Sequence, residues 1–415
     1  MNTLNRKFPA IIILLFALLL SACSAQSDIP SASAESGASS NNEQTLSEEP
    51  QATATMNTSP DSPENQPPPR AQNEFTTDFS IHSIPYTEVL SGGPSKDGIP
   101  AVDSPTFESV SNADAWLEDV EPIIRVQLNG EAKAYPIQIL MWHEITNDVV
   151  GGIPVTVTFC PLCNTGLAFQ RTVDGVVLDF GTTGRLRFSN LIMYDRQTET
   201  WWQQATGEGI AGVQTGAMLE FVQAPVISWG QFKEAHPDGL VMSRETGYIR
   251  SYGNNPYIGY DDVNRPPFLY RGPELPEDLP PVARILALEI NDEVVAYDYD
   301  LLKQLHAVND MVGGQSIAIL WEEGTSSALD SGSIALGRDI GTANAYSSEL
   351  DGRTLTFVFE NGRILDTETG SVWNSLGTAI SGELAGSQLE QLLSFNHFWF
   401  SWAVFMPETR IFKPG

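Results

Sequence analysis

The chain is short of positive charge. Its 415 residues include 22 Lys and Arg against 52 Asp and Glu, a formal net charge of −30. A polyphosphate needs a basic face to displace its counterions, so nucleic acid is excluded as a partner. An anionic membrane surface would also repel the body of the chain. Cysteine is scarce: Cys23, Cys160 and Cys163 are the only three, too few for a disulfide framework. The apolar run from Ile11 to Leu20 falls short of the roughly 20 residues of a membrane-spanning helix. What remains is a chain that is 41% hydrophobic, enough to bury the core of two ordinary domains.

The N-terminus has the plan of an export signal. Arg6 and Lys7 precede the apolar run and small residues follow it, the usual order for secretion. The ending "LSAC" is similar to a bacterial lipobox, so residues 1–22 are expected to be a signal peptide and Cys23 the lipidated residue. Ser24 rather than Asp follows, which favours the outer membrane in a cell that has one. The expected location is the bacterial cell envelope, facing the periplasm or the exterior, with the membrane as a partner only through the lipid on Cys23. Residues 23–78 are rich in Ser, Pro and acidic residues and poor in aromatics. Such a segment cannot bury enough apolar surface to offset its ordering entropy, and reads as a disordered tether.

The body repeats itself. "RVQLNGEAKAYP" from Arg125 matches "ALEINDEVVAYD" from Ala287, and "NDVVGGIPVTVTF" from Asn147 matches "NDMVGGQSIAILW" from Asn309. "DRQTETWWQ" from Asp195 answers "DTETGSVWN" from Asp366. Several blocks in one order predict a tandem repeat: a first unit over 79–243, a Pro- and Tyr-rich connecting segment over 244–281, and a second, cysteine-free unit over 282–415. Alternation around Asn129-Gly130 predicts a hairpin, Pro136 opens a short helix through Trp142, and "PVTVTF" is a β-branched strand. The fold class is α+β, sheet-dominated and mainly antiparallel, with short helices. Trp201, Trp202, Trp229 and Trp402 fall mostly in repeated blocks and are assigned to the core.

The repeat also acts as an internal control. At its constant offset Cys160 faces Glu322 and Cys163 faces Thr325, so the fold does not require the cysteines. The stretches "AYPIQILMWHEITNDVVGGIPVTVTFCPLCNTGLAFQR", "LIMYDRQTETWWQQATGEGIAG" and "SYGNNPYIGY" resemble the domain of unknown function 3179 family from about Ala101 to the C-terminus. No settled activity comes with that resemblance. It does imply redox chemistry at Cys160 and Cys163, because selenocysteine occurs in the motif of some relatives.

Three chemistries fit "CPLC". The first is thiol–disulfide exchange at Cys160 and Cys163, with His143 as proton partner; no helix follows the motif to stabilise a thiolate. The second is a soft-metal site for zinc or copper using Cys160, Cys163 and His143, completed by Glu144, Asp148, Asp195 or Met193. "WHEITND" lacks the second histidine of a zincin. The third is a small structural disulfide in a non-catalytic scaffold or adhesion protein. Asn147, Asp148, Arg185, Arg187, Tyr194 and Asp195 are candidates for a supporting layer. Asn147 and Asp148 recur in the second unit and read first as turn residues, and the two arginines would hold an anionic substrate or pair with acids. The first expectation is a thiol–disulfide oxidoreductase-like site.

Overall fold

The structure, a computed structural model, describes residues 61–414. The expected signal peptide, Cys23 and most of the tether lie outside the described residues. Asn129 and Gly130 both take positive φ, 48° and 84°, which matches the twist of flanking strands. They join β1 (Pro122–Leu128) antiparallel to β2 (Glu131–Pro136). Pro136 leads into α1 (Ile137–His143), after which β3 (Ile145–Val150), β4 (Ile153–Cys160) and β5 (Thr165–Gln170) pair in series. A later strand, β6 (Val226–Ser228), lies beside β1 and runs into α2 (Trp229–Ala235).

The same order recurs in the second half. There β7 (Arg284–Ile290), β8 (Glu293–Asp298), α3 (Tyr299–Leu305), β9 (Ala307–Val312), β10 (Gln315–Glu322) and β11 (Thr342–Ser347) repeat the pairings. Beside β7 lies β12 (Phe395–Phe398), which runs into α4 (Trp399–Ala403). Each half adds a further antiparallel sheet of its own. The architecture is therefore α+β and sheet-dominated, as expected.

Matching contacts hold the matching turns. Asn129 donates to the Gly151 carbonyl and Asn291 to the Gly313 carbonyl, each at 2.8 Å. Tyr135 donates to Asp148 at 2.6 Å and Tyr297 to Asp310 at 2.7 Å. Gly151 and Gly313 sit at φ 55° and 54°. A Cβ there would lie 2.2 Å from the Leu128 oxygen or 2.1 Å from that of Ile290, so only glycine fits.

The end of the tether differs from expectation. Residues 61–78 are expected within the tether, yet Ala71 and Phe75 are buried against Tyr194, Trp201 and Ile210, and Glu74 pairs with Arg185 at 2.9 Å. The single aromatic Phe75 supplies the apolar surface that the preceding Pro- and Ser-rich stretch lacks. It makes edge-on contacts to Tyr194 and Trp201 at 5.2 and 5.3 Å, a favoured geometry for aromatic pairs. The connecting segment has no period of its own but packs Tyr252, Tyr257, Tyr260 and Tyr270 onto the first-half core. Trp201, Trp202 and Trp229 are fully buried and Trp402 nearly so, which makes them core residues. No helix among the described residues is long and apolar enough to cross a membrane.

Candidate functional site

The CPLC motif closes the turn from β4 to β5. Cys160 ends β4, the Cys163 amide donates to the Cys160 carbonyl at 3.1 Å, and Asn164 takes a positive φ of 52°. Both cysteines are free thiols in this structure. They are buried in one apolar cluster with Ile145, Leu167, Leu191 and Met193, and Cys163 donates to the Ser189 carbonyl at 3.4 Å. Burial pushes the Cys163 thiol well above its ordinary value, and the adjoining Cys160 sulfur adds to the rise. A thiol so placed is a poor nucleophile while it remains covered.

The imidazole beside the motif comes from the far end of the chain. β12 lies against β5, and the Phe398 amide donates to the Cys163 carbonyl at 2.8 Å. This register brings His397 Nδ1 to 2.7 Å from Thr165 Oγ1 and 3.2 Å from Ser401 Oγ. Thr165 Oγ1 donates to the Cys163 carbonyl at 3.2 Å, and the Ser401 hydroxyl also interacts with the Cys163 sulfur. Burial holds the His397 imidazole down at about 3, so it is neutral. With the Thr165 proton committed to a carbonyl, the pattern assigns the His397 proton to Nδ1. His397 Nε2 is buried with no partner among the described residues and keeps its lone pair.

His397 is not among the expected site residues, although a signal for it exists. β6 and β12 share a register: Ser228 pairs with Pro122 and Phe398 with Arg284, the matching ends of β1 and β7. His397 therefore occupies the position of Ile227, and Trp399 that of Trp229. Setting "VISW" against "NHFW" exposes one histidine where the fold asks only for an apolar side chain.

His143 is placed differently from the expectation. It is buried, but Nδ1 is 2.7 Å from the Pro100 carbonyl and Nε2 is 2.7 Å from the Tyr252 hydroxyl. Both nitrogens are thus committed away from the thiols, and burial lowers its pKa. The reason is the connecting segment, whose Tyr252 and Tyr248 rings cover the imidazole at 5.8 and 5.4 Å. The expected metal set fails with it. Among the described residues no group of three or more His, Cys, Asp or Glu side chains could hold a metal ion, whereas a closed zinc site wants four ligands. The residues do not fit a closed zinc site.

The expected supporting layer is structural. Asn147 bonds Asp103 at 2.7 Å and both backbone groups of Phe180, as Asn309 bonds Phe357. Asp148 takes Lys133 at 2.9 Å along with Tyr135. Asp195 caps the Thr198 turn and accepts from the Trp202 indole at 2.9 Å, which Asp366 repeats with Trp373. Tyr194 donates to Asp97. Arg185 and Arg187 pair with Glu74 at 2.9 Å and Glu88 at 2.7 Å, so their charges are satisfied by acids. Glu144 is partly exposed as a residue, which softens the effect of burial, but its carboxyl is still pushed up to about 8.

The connecting segment also covers the sulfurs. Ser189 donates to the Phe268 carbonyl, and the Tyr260 hydroxyl accepts from the Phe268 amide at 3.2 Å. Burial raises the Tyr257 and Tyr260 hydroxyls, with Cys160 contributing to both and Cys163 to Tyr260.

Fold and site together define a sheet-dominated α+β protein with a covered, reduced Cys-x-x-Cys pair beside a neutral histidine. Residues 96–409 match the family described as "Protein of unknown function (DUF3179)". The chain belongs to that family. No curated protein and no solved structure matches it.

Proposed function

We propose that Cys160 and Cys163 form a thiol–disulfide redox couple with His397 as its base, the ring held at Nδ1 by Thr165 and Ser401. The observation that carries this reading is the convergence of residues 232 apart in sequence on the CPLC turn, where the second half has a long connection from Glu322 to Thr342 instead. In a balanced exchange, a disulfide on a partner protein accepts two electrons. The Cys160 and Cys163 S–H bonds break, an intramolecular S–S bond forms, and the partner leaves as two thiols. The unpartnered His397 Nε2 lone pair would accept the first thiol proton once the site opens and brings a sulfur within reach. The closed geometry is a resting state, since burial raises the Cys163 thiol and lowers the imidazole. Withdrawal of Tyr257 and Tyr260, which lie near the sulfurs, would relax the thiol toward its ordinary value. The chain would act as a lipoprotein anchored in the bacterial envelope by Cys23.

The test is exposure of the full chain to oxidised glutathione, followed by thiol counting and mass spectrometry. Expected are loss of both thiols, an internal Cys160–Cys163 disulfide, and recovery by a reductant. Slower oxidation in His397→Gln is expected too. Thiols that react only after unfolding would overturn the proposal. A second reading has its own observation: full burial with a raised Cys163 thiol suits a scaffold with inert cysteines, and that last outcome would support it.

A further inference from the structure

The second half carries its own junction at the position matching the thiols. Glu322 pairs with Thr342 on β10 and β11 as Cys160 pairs with Thr165. Gln231, on the helix after β6, holds Thr342 at 2.8 Å, much as Ser401, on the helix after β12, holds Thr165. In place of an apolar cluster there is an open cleft of about 830 Å³, lined by Arg125, Gln127, His236, Glu322 and Gln391 among others. That volume suits a small-molecule ligand.

Arg125 is the unusual member. Its guanidinium donates to the Gln391 side chain, its Nε is buried without a partner, and so is His236 Nε2. Among the described residues Arg125 forms no ion pair, although acids outnumber bases 52 to 22 in this chain. Arg171, Arg185 and Arg284, which are more fully buried than Arg125, are all paired with carboxylates. Arg125 is half-buried; a partly desolvated cation left unpaired is costly to the fold, and an anion supplied from outside would complete it. Glu322 and Glu234 lie in the same cleft, so a dianion would meet two like charges.

We infer that this cleft binds a small monocarboxylate bearing hydroxyl or amino donors, its carboxylate on Arg125 and its donors toward Glu322. Gln127, Gln391 and His236 offer further hydrogen bonds. This inference uses no feature of the thiol pair and stands or falls apart from it.

Isothermal titration of the full chain with gluconate, glutamine, acetate and inorganic phosphate tests it. Saturable binding of gluconate or glutamine is expected, with acetate and phosphate at least about tenfold weaker, a difference of one decade in Kd. Arg125→Met should weaken the bound probe by a further tenfold or more. Gln127→Glu, at an exposed lining position, should do so without removing the arginine, and remains informative if the first variant does not fold. No saturable heat from gluconate or glutamine up to about 10 mM would overturn the inference. So would phosphate binding as tightly as either, or unchanged affinity in both variants.

Discussion

His397→Gln should remove a specific piece of the protein's acid sensitivity. In the folded chain burial holds this imidazole at about 3, against an ordinary value of 6.5. The folded value lies below the unfolded one, so the unfolded chain takes up the proton first. The contribution to stability is whole above 6.5 and is lost progressively as pH falls toward 3. Each pH unit in that window costs about 1.4 kcal/mol, so at about pH 4.5 the loss is roughly 3 kcal/mol. Glutamine does not titrate, and its carboxamide can still bond Thr165 or Ser401. Its penalty at neutral pH should be about 1–2 kcal/mol for one disturbed buried hydrogen bond.

The assay is urea unfolding, followed by tryptophan fluorescence, of both proteins at about pH 7 and about pH 4.5. His143 and His236 are also lowered by burial and destabilise the fold in acid with the same sign, but they are common to both proteins and cancel. The variant should lose roughly 3 kcal/mol less than wild type over that interval. An equal loss in both would mean that His397 is solvated in solution. The closed arrangement around Thr165 and Ser401 would then be wrong, whatever the thiols do.

Three further outcomes are expected. Cys160→Ser with Cys163→Ser should lower stability by no more than about 2 kcal/mol, read as a thermal midpoint, because Glu322 stands at the strand position of Cys160 without loss of fold. Gly151→Ala should cost about 3 kcal/mol or more, since its Cβ would strike the Leu128 carbonyl at 2.2 Å; Gly152→Ala, where a Cβ meets nothing within 4 Å, should cost about 1 kcal/mol. Glu144→Gln should stabilise at about pH 7. A carboxyl raised to about 8 ionises first in the unfolded chain, so stability is lost as pH rises from the unfolded value through 8, and about 1 kcal/mol remains to be regained after discounting for its partial exposure.

Most of the local architecture is legible in the sequence because it is written in short-range chemistry. The Asn129-Gly130 turn, the β-branched run into Cys160 and the recurring Asn-Asp…Gly-Gly each act over a few residues. Their consequences recur at Asn291, Asn309 and Gly313. The partner of the cysteines cannot be read locally. His143 lies near Cys160 in sequence, but Pro100 and Tyr252 claim its ring. Tyr252 comes from a segment whose packing no period announces. His397 reaches the motif only because β12 is laid across β5 by the pairing of the halves. The end of the tether escapes composition for a similar reason, since averages hide the one phenylalanine that decides where folding starts.

The halves exchange strands in a reciprocal way, and that bears on where function resides. β12 of the second half lies on β5 of the first, and β6 of the first lies on β11 of the second. At both junctions the threonine is kept, Thr165 and Thr342, while its surroundings change. One junction has two thiols, a serine and a histidine. The other has Glu322, Gln231 and a cleft holding Arg125. Some turn residues, by contrast, keep both identity and partners, as Tyr135 with Asp148 and Tyr297 with Asp310 show. Packing alone would press matching positions toward similar apolar residues, as it does at Trp229 and Trp399. A fold held fixed while its junctions do chemical work would change the polar groups at those two places while keeping the threonine that both share. Neither half alone contains a complete junction, so each site depends on the whole body, and a first half expressed alone would lack His397 and Ser401 even if it folded.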